Sequence, residues 1–204
     1  GLHDMGAVAP GYKADLAVFD DLRTLNVKQV YKGGKLVAEN GKMLHQKEKN
    51  TDWSTEIKER VFHSFHRVPI TVEELQLKET TGTHQRVIDM VAHELITKER
   101  IEEWKELPGV APGVDISRDI VKLAAIERHK NTGHVGLGFL GKYGLKKGAV
   151  ATSIGHDSHN LVIAGVTDED MVLAGNRVIE NGGGLAIALE GKVLADLPLP
   201  IGGL

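Results

Sequence analysis

The chain has 204 residues, of which 41% are hydrophobic and 26% charged, with a formal charge of −3. That size suits one sizeable core, or one domain plus part of another, and interspersed acids and bases argue against a nucleic-acid or membrane surface. The absence of cysteine excludes a disulfide framework, a thiolate zinc site and a cysteine nucleophile, and fits a reducing cytoplasm.

No apolar run reaches the roughly 18 residues of a membrane span. The opening Gly1-Leu2-His3-Asp4-Met5 has neither the charged nor the apolar region of a signal peptide. It also lacks Met at position 1, so a start inside a longer reading frame is expected. Residues 1–45 read as short strands and tight turns. The run 14–20 is a strand bounded by acids. Strands at 27–31 and 35–38 flank Gly33-Gly34, which supplies the positive φ angles of a two-residue hairpin, and Asn40-Gly41 is a second turn. Residues 46–52 contain no apolar side chain, and a linker is placed at 46–54.

The second part, 55–204, changes character. Residues 55–65 predict a helix with Ile57, Val61, Phe62 and Phe65 on one side. Residues 83–91 read as a strand. Residues 97–106 read as helical, with Thr97 as cap and acids behind it. Pro108, Gly109, Pro112 and Gly113 mark a loop. Residues 120–128 fit a buried strand or a short helix, with strand preferred. Thr167 caps a helix whose first turn holds Asp168, Glu169 and Asp170. Met171, Ala174, Val178 and Ile179 form its apolar face, and Gly182-Gly183-Gly184 ends it. A hairpin across Glu190-Gly191 closes the pattern. Locally paired strands with interspersed helices predict an α+β fold: mostly antiparallel sheet flanked by helices.

Four groups of residues could carry chemistry. Gly136-Leu137-Gly138-Phe139-Leu140-Gly141 spells the dinucleotide fingerprint, but Gly144 and Gly148 break any helix that should follow. A glycine-rich turn or close backbone packing is expected there, and no cofactor-binding residue is assigned. The second is Gly155-His156-Asp157-Ser158-His159-Asn160, which sets two imidazoles, a carboxylate, a hydroxyl and an amide together, a costly cluster unless it faces water, a ligand or a network. His156 and His159, three apart, converge on a cation only if the backbone curls, and a third ligand must come from elsewhere. His63, His66, His84, His129 and His134 are available. A metal site, a role near an active-site mouth and a structural network all remain open. The third, Glu127-Arg128-His129-Lys130, reads as a solvated strand end, or as an anion- or interface-binding patch. The last, Trp53 and Trp104, reads as a pair of partial-core anchors.

Two blocks carry a family resemblance. Gly6-Ala7-Val8-Ala9-Pro10-Gly11-Tyr12-Lys13-Ala14-Asp15-Leu16-Ala17-Val18-Phe19-Asp20 resembles the segment by which amidohydrolase-superfamily chains leave their catalytic barrel for a small β-sandwich. Val30 to Val37 resembles its closing hairpin. The second block is more specific. Phe65-His66-Arg67-Val68, Ile126-Glu127-Arg128-His129, Thr132-Gly133, Gly136-Leu137-Gly138-Phe139 and 148–204 resemble, in order and spacing, the C-terminal domain of adenine deaminases.

The resemblance implies hydrolysis of adenine to hypoxanthine and ammonia in purine salvage, in a cytoplasmic homo-oligomer. It implies a manganese or iron pair held by a (β/α)8 barrel. Those ligands begin with a His-x-His pair that this sequence lacks, so neither a catalytic residue nor a metal ligand is assigned here. The chain is expected to be a C-terminal portion without the barrel, to be inactive alone, and to stop before its relatives do. Residues 14–20 and 30–38 would then expose strand edges. His156, Asp157 and His159 are kept as accessory candidates on a domain that supports or closes the active site. The alternative is a non-catalytic oligomerisation or scaffolding domain. A third reading makes the chain a small metal-dependent hydrolase using the same three residues.

Overall fold

The structure, a computed structural model, describes residues 3–44, 53–77 and 82–204. The chain divides into two compact units, Gly1–Asp52 and Trp53–Leu204. Of the expected linker, 46–52 lie outside the described residues. Trp53 and Ser54 belong to the second unit, where Ser54 Oγ caps the first helix by accepting from Ile57 N at 3.3 Å and Trp53 packs on Phe62, ring centroids 5.9 Å apart.

The first unit is a four-stranded antiparallel meander of β1 (Leu16–Phe19), β2 (Val27–Lys32), β3 (Lys35–Glu39) and β4 (Lys42–Met43). Positive φ at Gly33 and Gly34 makes the two-residue turn that pairs Lys32 with Lys35. β1 is an edge strand; β4 covers the end of β3. None of its described residues is fully buried, so this sheet has no dry core among them.

The second unit is built on an eight-stranded sheet in the order β12-β11-β9-β10-β7-β8-β5-β6. Its strands are β5 (His84–Met90), β6 (Thr97–Glu103), β7 (Ile120–Ile126), β8 (Val135–Gly141), β9 (Ala149–Thr152), β10 (Leu161–Gly165), β11 (Gly184–Leu189) and β12 (Lys192–Pro198). Every pairing is antiparallel except β5 with β8. The fold is α+β with antiparallel sheets, and no barrel occurs among the described residues.

Among the described residues three α-helices accompany the sheets: α1 (Thr55–Phe62), α2 (Val72–Leu75) and α3 (Asp168–Glu180). Thr167 Oγ1 caps α3 by accepting from Asp170 N at 3.4 Å, and the acids of its first turn meet the positive end of the helix dipole. Met171, Ala174 and Val178 pack onto Ala124, Ile126, Ala151, Leu161, Ile163 and Ala186 to form the main core. A fully buried side chain of this kind contributes about 1.5–3 kcal/mol.

Two expectations fail. Residues 97–106 are not helical: Thr97–Glu103 form β6, paired with all of β5. Lys, Arg and Glu favour helix locally, but alternation sends Arg100 and Glu102 to one face, where ion pairs await them, and tertiary pairing overrides propensity. The first helix is also shorter than 55–65. It ends at Phe62 and buries no residue, and Phe65 leaves it to lie under Arg128.

Candidate functional site

The 153–160 loop joins β9 to β10, and the 127–134 turn joins β7 to β8. Because Leu161 pairs with Ile126, the two connections leave the same end of the sheet side by side. Three motifs of the second block, Phe65–Val68, Ile126–His129 and Thr132–Gly133, meet the 148–204 segment there.

Arg128 is the centre of this corner. Read from sequence as part of a solvated strand end or surface patch, it is instead 2% exposed. Its guanidinium donates from Nε to His159 O at 2.6 Å, from Nη2 to Gly202 O at 3.2 Å and from Nη1 to Ser64 O at 3.4 Å. It also lies 4.9 Å from the Phe65 ring centroid. Burial lowers its pKa, and carbonyl dipoles and a ring face, rather than a carboxylate, compensate the charge. Its own carbonyl accepts from His66 N at 2.8 Å. Gly203 must be glycine: at φ +75 a Cβ would collide with the guanidinium.

The neighbours are equally tied. Glu127 accepts from His129 N at 2.5 Å, Lys130 N at 2.8 Å, Thr132 N at 2.9 Å and Thr132 Oγ1 at 3.0 Å. These bonds, the Thr132 amide first, hold its carboxyl down at about 2. His129 Nε2 lies 2.8 Å from Ser158 O; a carbonyl partner makes that nitrogen the protonated one. Ser153 Oγ donates to Gly203 O at 2.6 Å and accepts from Gly184 N at 2.8 Å. Arg67, also buried, ion-pairs with Glu74 and reaches Asn131 Oδ1 at 3.4 Å.

On this base the loop does curl. His159 N donates to Gly155 O at 2.5 Å, and His159 has φ +48. The His156 and His159 rings stand edge to face, 6.2 Å between centroids. His156 and Asp157 pair with each other, with side chains 87% and 86% exposed. His159 is half-buried; its Nδ1, Asn160 Oδ1 and the nearby Ser64 Oγ are buried without a hydrogen-bond partner. Among the described residues no three His, Asp or Glu side chains converge as a cation would require. The described residues therefore offer no set that fits the metal pair the resemblance implies.

The other candidates fall away from this corner. The GxGxxG run is strand β8 itself, not a turn opening a helix; close packing occurs at Gly141, where a Cβ would collide with Asp89 Oδ1. Trp104 packs edge-on to Phe139 at 5.7 Å, a core contact. His84 lies next to Thr83 on β5 and His63 pairs with Glu59 on α1, so neither joins the loop.

The burial of two charged residues, Arg128 and Lys122, was not foreseen from the sequence. Arg128 had no local signal, since its partners are carbonyls from residues 64, 159 and 202. Lys122 did have one, a lone charge inside Ile120-Val121-Lys122-Leu123-Ala124. It is fully buried and donates to Asp168 Oδ1 at 2.7 Å.

Residues 94–204, more than half of the chain, match the adenine deaminase C-terminal domain. The chain belongs to that family. It is 43% identical over 204 residues to an adenine deaminase of Lysinibacillus sphaericus and 43% identical to adenine deaminase 2 of Carboxydothermus hydrogenoformans. Over 200 residues it is 38% identical to an adenine deaminase of Geobacillus kaustophilus. These alignments cover 98–100% of this chain but 34% of each relative, so the chain spans about a third of the length of the curated relatives it matches. No described helix is long and apolar enough to cross a membrane.

Proposed function

We propose that this chain is the C-terminal portion of an adenine deaminase, a hydrolase converting adenine and water to hypoxanthine and ammonia. In this reading the 156–160 loop lies at the mouth of the active site and closes or orients it. The observation that carries it is a contrast within one loop. The backbone at His159 and Ser158 is held by Arg128 and His129, while the side chains of His156 and Asp157 are exposed and pair with each other, the His156 ring standing edge to face with His159. A loop so fixed presents its side chains at low entropic cost to whatever faces it. The unpartnered Nδ1 of His159 and Oδ1 of Asn160 support the same reading, because buried polar atoms want partners.

The manganese or iron that the family implies is assigned to the part of the polypeptide outside these 204 residues, as are the water-activating groups. A cytoplasmic homo-oligomer working in purine salvage is part of the same proposal, supported by the cysteine-free composition and the family match.

The test uses a complete polypeptide: the Lysinibacillus sphaericus relative with its matching third replaced by these 204 residues. His156→Ala is expected to lower kcat on adenine on the order of tenfold with the fold unchanged. Unchanged kinetics would reject the loop's role. Loss of subunit association with full activity per subunit would make it an interface network instead.

A further inference from the structure

One face of the eight-stranded sheet lies under α3. The opposite face carries two rows of side chains whose character is set by the register. Leu197, Leu185, Thr152, Val162, Ala125 and Gly136 are cross-strand neighbours from β12 to β8. The adjacent row runs from Ala195 and Ile187 through Val150 to Gly138 along the same ladders. Neither row holds a charged residue, and Thr152 is the one polar side chain in them. The only buried member is Ala164, which packs with the 110–116 segment. The rest are half-buried or exposed, Ile187 at 43% and Leu197 at 55%.

An antiparallel sheet with one solvated face normally alternates apolar with polar residues. Here both faces are apolar across six strands, and among the described residues of this unit no helix packs on the second. An uncharged sheet face of this breadth marks a contact with another folded body. It lacks the basic residues that a nucleic acid or an anionic membrane would require.

Resting on the reading of the chain as one portion of an adenine deaminase, we propose that this sheet face docks against the remaining two thirds of that polypeptide. Two observations select that occupant. The matched relatives are about three times as long as this chain, 34% of each being covered, so a tethered partner is present at high effective concentration. The face is also continuous with the outward-facing loop. Thr152 leads directly into 153–160, and Gly155 lies over Val162, 3.5 Å from where its Cβ would stand to Val162 Cγ2. A body that covers the two rows therefore meets His156 and Asp157 at their margin. At one end of the strands the 110–116 segment packs on the face, and toward β5 and β6 its uncharged character ends at the Arg86–Glu99 pair.

A photo-crosslinking residue placed at Ala125 or Ala195, both exposed, in the complete chimera reads the contact directly by mass spectrometry of the adducts. The expected result is adducts within one molecule to peptides outside the 204 residues, at least tenfold above a probe at exposed Lys192. Adducts to a second copy of the 204-residue portion, or none above that control, overturn the proposal. If the chimera does not deaminate adenine, the probe goes into the unmodified Lysinibacillus sphaericus relative at the positions aligned with Ala125 and Ala195, with the same two outcomes. The two proposals fail separately. Intramolecular adducts together with unchanged kinetics in His156→Ala remove the loop's role alone, and a slowed His156→Ala without adducts removes the docking face alone.

Discussion

The side chain of Arg128 holds the main chain of His159: Nε donates to the His159 carbonyl at 2.6 Å across 31 positions of sequence. The same guanidinium reaches Ser64 and Gly202, so one residue fastens three segments. Arg128→Met is expected to cost about 3 kcal/mol of unfolding free energy, because each buried acceptor left without a donor costs about 1–3 kcal/mol. Arg128→Lys should recover only part, since an ammonium does not span three carbonyls in a fixed fork. Urea denaturation of the two variants checks this, and equal stability of Met and Lys would contradict it.

Glu127 gives the turn beside it a dependence on acid. Its carboxyl titrates at about 2 against an ordinary 4.5 because the amides of Thr132, Lys130 and His129 donate to the ionised form. A depressed folded value means the stabilisation is complete above about 4.5 and is lost as pH falls toward 2. Protection of the His129, Lys130 and Thr132 amides against exchange, relative to their intrinsic rates, should therefore fall through that window. In Glu127→Gln the same amides should exchange faster at neutral pH, with the acid step gone.

Lys122 and Asp168 form a buried pair between β7 and the first turn of α3. Removing one partner leaves an uncompensated buried charge, at a cost of about 3–5 kcal/mol. Lys122→Met and Asp168→Ala should each be strongly destabilising, and the double variant less so than their sum. Additive losses in thermal or urea unfolding would show the pair to be uncoupled.

Gly141 ends β8 against the ion-pair lattice that joins β5, β6 and the 115–118 turn. Arg100 Nε meets both Asp89 oxygens at 3.0 Å, Glu102 bridges Arg100 and Arg118, and Arg118 Nε meets Asp115 Oδ2 at 2.6 Å. A Cβ at 141 would collide with Asp89 Oδ1 and stand 2.6 Å from Arg100 Nη2. Gly141→Ala is expected to cost about 1–3 kcal/mol, whereas Gly138→Ala, with open space around it, should be mild. Comparable effects at the two positions would mean that β propensity, not the collision, decides.

The meander of the first unit and the α3–β11–β12 segment were readable because local chemistry sets them: paired glycines at a turn, a threonine cap, a stripe of Met171, Ala174 and Val178. β6 was not readable as a strand, since its Lys, Glu and Arg acquire their reason only from Asp89 and Arg118, which lie elsewhere in sequence. The candidate loop was visible as a dense set of polar residues. What holds it was hidden, because carbonyls are present at every position and nothing in the sequence says which three Arg128 will find. The second sheet face was hidden for a related reason. Alanines and valines on β7, β9 and β10 read as core on both sides, and only the register shows that one side is left open.

The single parallel seam between β5 and β8 divides the second unit kinetically. It joins the sheet through three register pairs, Val87 with Phe139, Ile88 with Leu140 and Asp89 with Gly141, whereas β5 and β6 are zipped along seven. β7–β8, β9–β10 and β11–β12 are hairpins between sequence neighbours, β10–β7 and β11–β9 join them across longer connections, and the β5–β8 seam closes the longest loop, from Val87 to Phe139. Detachment of the β5–β6 ribbon is therefore expected as a low-cost large-scale opening of the sheet.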